Sequence, residues 1–236
     1  MSCVCRFFFI EPVTNAPSQC REIAACRDYC STMAFTTNHP AHTTRLTPAQ
    51  TALISPIYPS AWLQQAAEAD LAAVHHCARM AQHTMMKWLA ISTSKLGNGW
   101  IYLILAPVVA LDMGWCAMPV IASAIINAAF LHLIYPVIKR LFRRRRPYHV
   151  DQRLTSLLKT LDEYSFPSGH VMTLTGVLLP IILAIPAARE PALVLILIMA
   201  WSRMATAHHY PSDVIAGITI GIMIAFPLTR LMMAFY

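Results

Sequence analysis

Charge is scarce in this sequence of 236 residues. Asp, Glu, Lys and Arg make up 12% of it, about half the roughly 25% usual for soluble domains, while hydrophobic residues reach 57%. Mean hydropathy is +0.51. So little charge excludes an ordinary soluble domain, and the charges present are clustered, leaving long runs with almost none. The pattern reads as a polytopic membrane protein. A secretory leader is not expected, because Phe7-Phe-Phe-Ile10 is too short for a signal-peptide core and no small-residue cleavage site follows it. Acidic residues number only 11 and form no Asp/Glu cluster of the kind that holds a divalent cation. Seven cysteines are present, five of them Cys3, Cys5, Cys20, Cys26 and Cys30, but their odd count and spacing match no zinc signature. No internal repeat is found.

Taken in order, residues 1–60 mix Cys, Thr, Pro and Ser without periodicity and read as a disordered or peripheral segment, with Met33 or Met80 as possible true starts. Residues 61–236 form the second expected unit, a membrane domain. From Ala61 to about Ala90 apolar residues hold one helical face while Glu68, Asp70, His75, Arg79, His83 and Lys87 interrupt any spanning reading. That predicts an amphipathic helix lying on the membrane surface, with its histidines on the surface and not ligands. Ser94-Lys-Leu-Gly-Asn-Gly99 is a turn and helix-start signal. Five spans are then expected: Trp100–Met113, Ala117–Ile138, Val171–Pro186, Pro191–Ala207 and Val214 to about Leu228. The expected fold class is all-α, a polytopic helical bundle of about five transmembrane helices plus the N-terminal surface helix.

Alternation of spans brings the end of the second, the start of the third, the end of the fourth and the start of the fifth to one face. Four polar segments, at Lys139, His170, His209 and Asp213, therefore converge from about 75 residues of chain. The formal net charge of +7 is concentrated in Lys139–Arg146 beside an apolar span, which favours anionic lipid or a phosphorylated substrate over nucleic acid. Tyr164-Ser-Phe-Pro-Ser-Gly-His170 is a polar turn feeding an apolar helix, so its backbone N–H groups and the helix dipole make an anion cradle. Arg203 lies inside an otherwise uncharged span, six residues before His209, so both can face one pocket. Asp213, four residues after His209, can accept an imidazole N–H and fix its tautomer. A histidine so oriented is a nucleophile or a base, and beside three cations the natural electrophile is phosphorus. Each feature also has a plainer role: the arginine run as a topology anchor, His170 as a helix cap.

The spacing Lys139-x6-Arg146-Pro147, then Pro167-Ser-Gly-His170, then Ser202-Arg203-x5-His209-x3-Asp213 resembles the three-part signature of the type 2 phosphatidic acid phosphatase superfamily. All three parts are complete and in order over about residues 139–217, and the Ser-x-Leu-Gly-Asn-Gly turn extends the likeness back to about Ser92. The short bacterial members it resembles include undecaprenyl-diphosphatases and phosphatidylglycerophosphate phosphatases. The resemblance implies that His209 attacks phosphorus to form a phosphohistidine, with Asp213 holding its ring, and that His170 protonates the leaving oxygen and then activates water. It implies that Lys139, Arg146 and Arg203 bind the phosphoryl oxygens, with Ser168 and the Gly169 N–H completing the cradle. No metal and no cofactor are implied, since the cations supply the electrostatics. His208 is off the spacing by one residue and is read as structural.

Arg143–Arg145 is more basic than the signature requires, which favours a diphosphate or strongly anionic headgroup. Positive-inside counting puts the active face in the cytoplasm, but substrate-binding cations bias that count, so the periplasmic face of a bacterial inner membrane is expected. The expected activity is metal-independent hydrolysis of a lipid phosphate or diphosphate: polyprenyl diphosphate first, phosphatidylglycerophosphate or phosphatidate next. The expected partners are that lipid and the bilayer, not nucleic acid. A lipid phosphotransferase using the same site and a non-catalytic lipid-binding protein are the alternatives.

Overall fold

Each apolar run between polar punctuation becomes a helix. The computed structural model describes residues 61–160 and 162–235. Its helices are α1 Ala61–Met80, α2 Thr84–Leu96, α3 Trp100–Met113, α4 Ala117–Phe142, the single turn α5 Pro147–Val150, α6 Gly169–Ala184, α7 Arg189–Ala205 and α8 Pro211–Met233. Short 3-10 segments, Gly114–Cys116 and Pro186–Ala188, lead into α4 and α7. No strand occurs among the described residues, only an isolated bridge between Arg145 and Tyr164. The expectations for residues 1–60, including the five early cysteines, lie outside the described residues.

The helix ends follow local chemistry. Pro147 and Pro211 open α5 and α8, where the missing N–H costs nothing. Gly99 (φ 117°) and Gly114 (φ 58°) bound α3 in backbone conformations that glycine tolerates best. The helix expected from Ala61 to Ala90 is in fact two. The backbone tightens at Ala81–His83, where Gln82 and His83 bond back three residues to Arg79 and Met80. The turn expected at Ser94–Gly99 is confined to Gly97–Gly99, because α2 runs on through Leu96.

The bundle exposes large apolar side chains and buries polar ones within its apolar core. Leu111 and Leu133 are 88% and 75% exposed, whereas Ser123, Asn127 and Thr229 are fully buried. Water would penalise that arrangement, and lipid favours it. Two runs have the length and hydropathy to cross a membrane, Trp100–Phe142, broken at Gly114, and Pro211–Met233, each with a mean hydropathy of 1.9 and only 28% of the window buried. The apolar α6 has 16 residues, about 24 Å of helix against a hydrocarbon core of about 30 Å.

Helix α6 is the central element, buried along most of its length between α4 and α8. Asn127 of α4 donates to Gly176 O of α6 (3.0 Å) and to Thr229 Oγ1 of α8 (2.9 Å), tying the three together where no water competes. Helix α8 approaches α6 through Gly217 and Gly221. A Cβ at those positions would stand 2.8 Å from Ser168 O and 2.7 Å from Met172 O, closer than packed carbons come. Helices α1 and α2 pack on α7. The buried face of α1 meets protein: Leu71 and Val74 pack with Leu154, Ala207 and Tyr210. Its apolar stripe thus covers the turn between α7 and α8.

Candidate active site

The polar segments do converge at one end of the bundle. Lys139 in the last turn of α4, Arg146 before α5, Gly169 and His170 at the start of α6, Arg203 near the end of α7 and His209 before α8 all line one cavity of about 650 Å³. The two remaining expected residues, Ser168 and Asp213, sit behind this wall, both fully buried. Ser168 is the N-cap residue of α6, and its N–H donates to Asp213 O (3.0 Å) while its hydroxyl finds no partner. The first intrahelical donor of α6 is Met172 N, bonded to Ser168 O at 2.9 Å. The N–H groups of Gly169 and His170 thus have no acceptor within the helix and bear the positive end of its dipole.

Three cations are almost completely buried here: Lys139 is 5%, Arg146 2% and Arg203 5% exposed. Lys139 Nζ and Arg146 Nη2 share one carboxylate, Asp162, at 2.9 and 2.6 Å. Arg146 also donates to Asp162 O and to His208 O, each at 3.1 Å. Burial alone would raise the Asp162 carboxyl, but the Lys139 hydrogen bond and the charges of Lys139 and Arg146 outweigh it and hold the group below the usual carboxylate range. Arg203 Nη1 donates to Ser94 Oγ, its Nη2 to His208 Nδ1 (2.8 Å), and its Nε has no partner. Three positive groups facing one ionised carboxylate leave a desolvated positive surplus, costly unless an anion joins it.

Burial, reinforced by the charges of Arg203, Arg146 and Lys139, holds the His209 imidazole well below its ordinary pKa, so it is neutral at physiological pH. Its Nδ1 lies 3.7 Å from Asp213 Oδ2, beyond hydrogen-bond range, and has no partner. The N–H to carboxylate bond expected from the spacing is therefore not closed in the structure. Both Asp213 oxygens are engaged elsewhere, Oδ1 by Arg144 Nη1 (2.6 Å) and Oδ2 by the Tyr210 N–H (2.9 Å). His170 Nε2 meets Asn98 Oδ1 at 2.7 Å, which places the ring proton on Nε2. His208, read from sequence as structural, is a buried hub. Because Nδ1 accepts from Arg203, its Nε2–H faces Ser156 Oγ (2.8 Å) and Leu158 O (3.0 Å). Burial first, then Arg203 and Arg146, pushes its pKa down to about 3.

Sequence reasoning missed Asp162, Asn98, Ser94, Arg144 and Asp70. Asn98 was in view within the Gly-Asn-Gly turn, and Asp162 is one of the few carboxylates between Arg146 and His170. Nothing in the pattern joins Asp70, on α1, to Arg144. The extra arginines also do not serve the cavity: Arg143, Arg144 and Arg145 line a separate cavity of about 710 Å³ beside α1. The arginine run splits between two cavities, so Arg143–Arg145 do not add charge for a diphosphate headgroup.

Residues 116–236 match the sequence profile of the PAP2 superfamily. The chain is 33% identical over 136 residues to the decaprenylphosphoryl-5-phosphoribose phosphatase of Mycobacterium tuberculosis, covering 52% of this chain and 66% of that protein. It is 44% identical over 92 residues to the protein of the same name from Mycolicibacterium smegmatis, covering 38% and 48%. The chain thus spans just under two thirds of the first of these relatives and about half of the second. In three dimensions it resembles the crystal structure of a transmembrane PAP2-type phosphatidylglycerolphosphate phosphatase from Bacillus subtilis, with a TM-score of 0.57, 19% identity, and coverage of 80% of this chain and 94% of that one. That likeness is one of fold. With the family profile matched over half the chain, and the three polar segments gathered round one cationic cavity, this protein belongs to the PAP2 superfamily.

Proposed function

We propose that the protein is an integral membrane phosphatase of about five spans that removes a terminal phosphate from a lipid through a phosphohistidine. The observation that carries the reading is the cavity's uncompensated charge: Lys139, Arg146 and Arg203 around a single carboxylate, with His170 and His209 on the same wall. Three orphaned polar atoms, Ser168 Oγ, Arg203 Nε and His209 Nδ1, add unmet hydrogen-bonding capacity at this end.

In this reading the phosphoryl oxygens take the place that Asp162 now holds between Lys139 and Arg146, and reach Arg203 and the N–H groups of α6. His209 Nε2 attacks phosphorus, its Nδ1–H moving within reach of Asp213. His170 is converted to the imidazolium once the phosphate anion offsets the burial and cations that otherwise keep it neutral. The bond from phosphorus to the leaving oxygen breaks as His170 delivers one proton to that oxygen and returns to neutral imidazole. His170 then takes a proton from water, whose oxygen attacks the phosphohistidine, releasing inorganic phosphate and restoring His209. The cations stabilise the charge on the equatorial oxygens in both steps, so no metal is required.

The cavity rim carries two further cations, Lys95 and Lys159. They favour a substrate whose terminal phosphate is followed by a second one. Polyprenyl diphosphate has that character, as does a polyprenylphosphoryl pentose phosphate, the substrate type in the names of the curated relatives. Phosphatidylglycerophosphate shares it, and phosphatidate does not. The working location is a bacterial inner membrane with the cavity facing the periplasm.

The test is phosphate release by detergent-purified protein in EDTA from a polyprenyl diphosphate, a polyprenylphosphoryl pentose phosphate, phosphatidylglycerophosphate and phosphatidate. Release from the two-phosphate lipids, weaker release from phosphatidate, and loss of at least roughly 10³-fold in His209→Ala are expected. No release from any of the four, or full activity in His209→Ala, would overturn the reading.

A further inference from the structure

Arg144 belongs to no part of the recognised spacing, yet it makes the closest contacts behind the site. Its Nη1 donates to Asp213 Oδ1 and to Ser212 Oγ, each at 2.6 Å, and its Nη2 donates to Asp70 Oδ2 at 2.8 Å. The guanidinium lies 4.1 Å from the centre of the Tyr210 ring, next in sequence to His209. Its own carbonyl accepts the Ser165 N–H (2.8 Å), which fixes its backbone beside the loop leading to the cradle. Asp70, from α1, completes the arrangement: it accepts the Ser212 N–H at 3.1 Å and the Ser212 hydroxyl. That contact puts a carboxylate at the first turn of α8, where the dipole favours it.

For His209 Nε2 to attack, the ring proton must sit on Nδ1, and Nδ1 needs an acceptor. The carboxylate aimed there is Asp213, whose Oδ2 stands 3.7 Å away. Asp213 is completely buried, so its direction depends on what grips its other oxygen. The charged grip is Arg144, with Ser165 beside it, and Arg144 is in turn held by Asp70. Resting on the phosphohistidine reading above, we infer that Arg144 is a positioning residue that aims Asp213 at His209, and that Asp70 makes helix α1 part of the catalytic apparatus.

A guanidinium is needed for this and an ammonium will not serve. The planar fork reaches Asp213 and Ser212 through one nitrogen and Asp70 through the other, a division a single Nζ cannot make. The order of dependence is also fixed: Asp70 touches neither His209 nor the cavity lining, so it can act on the reaction only through Arg144, Ser212 and the start of α8.

The experiment is steady-state kinetics on polyprenyl diphosphate with full-length, detergent-purified Arg144→Gln, Asp70→Asn and the double variant, with melting temperatures taken alongside. Arg144→Gln should lose kcat by roughly 10- to 100-fold, the range for losing the outer partner of a functional ligand, with KM within about twofold. Asp70→Asn should lose less kcat in the same direction, and the double variant should be no slower than Arg144→Gln alone. Arg144→Lys should fail to restore the rate. Unchanged kcat in folded Arg144→Gln overturns the inference. So does a raised KM with kcat retained, which would make Arg144 a substrate contact. Losses that multiply in the double variant break the link to α1. If Arg144→Gln does not fold, Asp70→Asn decides, and wild-type kcat in it overturns the proposal. A wild-type protein that releases no phosphate would instead refute the phosphatase reading, a separate result.

Discussion

Arg144 and Arg146 are two residues apart, and the clusters around them have opposite stoichiometry. At Arg146, two cations share one carboxylate, as Lys139 and Arg146 both bond Asp162. At Arg144, one guanidinium joins two carboxylates, Asp70 and Asp213. The first cluster opens on the cavity, and the Asp162 side chain is 37% exposed; in the second, Asp213 is 0% exposed, and of its charged members only Arg144 and Asp70 reach the separate cavity beside α1. A buried cation surplus beside a cavity is relieved when an anion enters it. A guanidinium locked between two carboxylates has its bonding met and serves to hold geometry. Charge alone does not tell a binding arginine from a scaffolding one; the count of partners does.

The strongest way to break the contrast is to remove a cation from the open cluster. Arg203→Met keeps much of the side-chain bulk and deletes the charge that no carboxylate in the cavity answers. A fall in kcat of roughly 10²- to 10³-fold is expected, as for losing one transition-state donor. Single-turnover phosphate release measures it, and a loss confined to KM would move Arg203 from the transition state to the ground state.

Removing the carboxylate instead should sharpen the contrast. With Asp162→Asn, inorganic phosphate no longer competes with an internal anion for Lys139 and Arg146. Its inhibition constant should drop by roughly two- to fivefold, the size of a part-exposed ion pair. An inhibition constant that rises would mean that Asp162 organises the cations instead of standing in for the ligand.

The smallest effect expected is on pH dependence. Burial and the neighbouring cations hold His209 below its ordinary value near 6.5. The nucleophile therefore stays unprotonated as the medium is acidified past that point, and the acid limb of kcat/KM should lie below it. Residual activity in Arg203→Gln should show that limb moved upward, because a positive neighbour has been removed. A limb at or above 6.5 in the wild type would contradict the electrostatics of the cavity.

The helices and their convergence could be read from sequence because both depend on patterns that survive in one dimension. Apolar runs such as Ala117–Ile138 declare themselves, and alternation across a membrane fixes which ends meet. Alternation places the ends that carry Lys139, His170 and His209 together, while Arg203 stands out as a charge within an apolar span and Arg146 by its spacing from Lys139; in the structure all five line one cavity. The networks that support them were not readable. Asp70 and Arg144 are 74 residues apart, and their encounter depends on α1 packing against the turn of Tyr210, a tertiary contact that no periodicity encodes. The unbroken helix from Ala61 failed for a related reason: helical propensity continued through Ala81, but packing of both halves onto α7 favoured a break.

The two glycines of α8 also constrain traffic. Gly217 and Gly221 bring α8 so close to the α6 backbone that this seam cannot part without unpacking the cradle itself. Ser168 N–H on Asp213 O fastens the same seam at its upper end. A headgroup seated in the cavity still trails a hydrocarbon chain, which needs a doorway to the bilayer. Away from the seam the cavity is lined by Tyr102 of α3 and by His132 and Tyr135 of α4. A chain that leaves the cavity must therefore pass on that side, and substitutions there, not in the α6–α8 seam, are where its bulk would be felt.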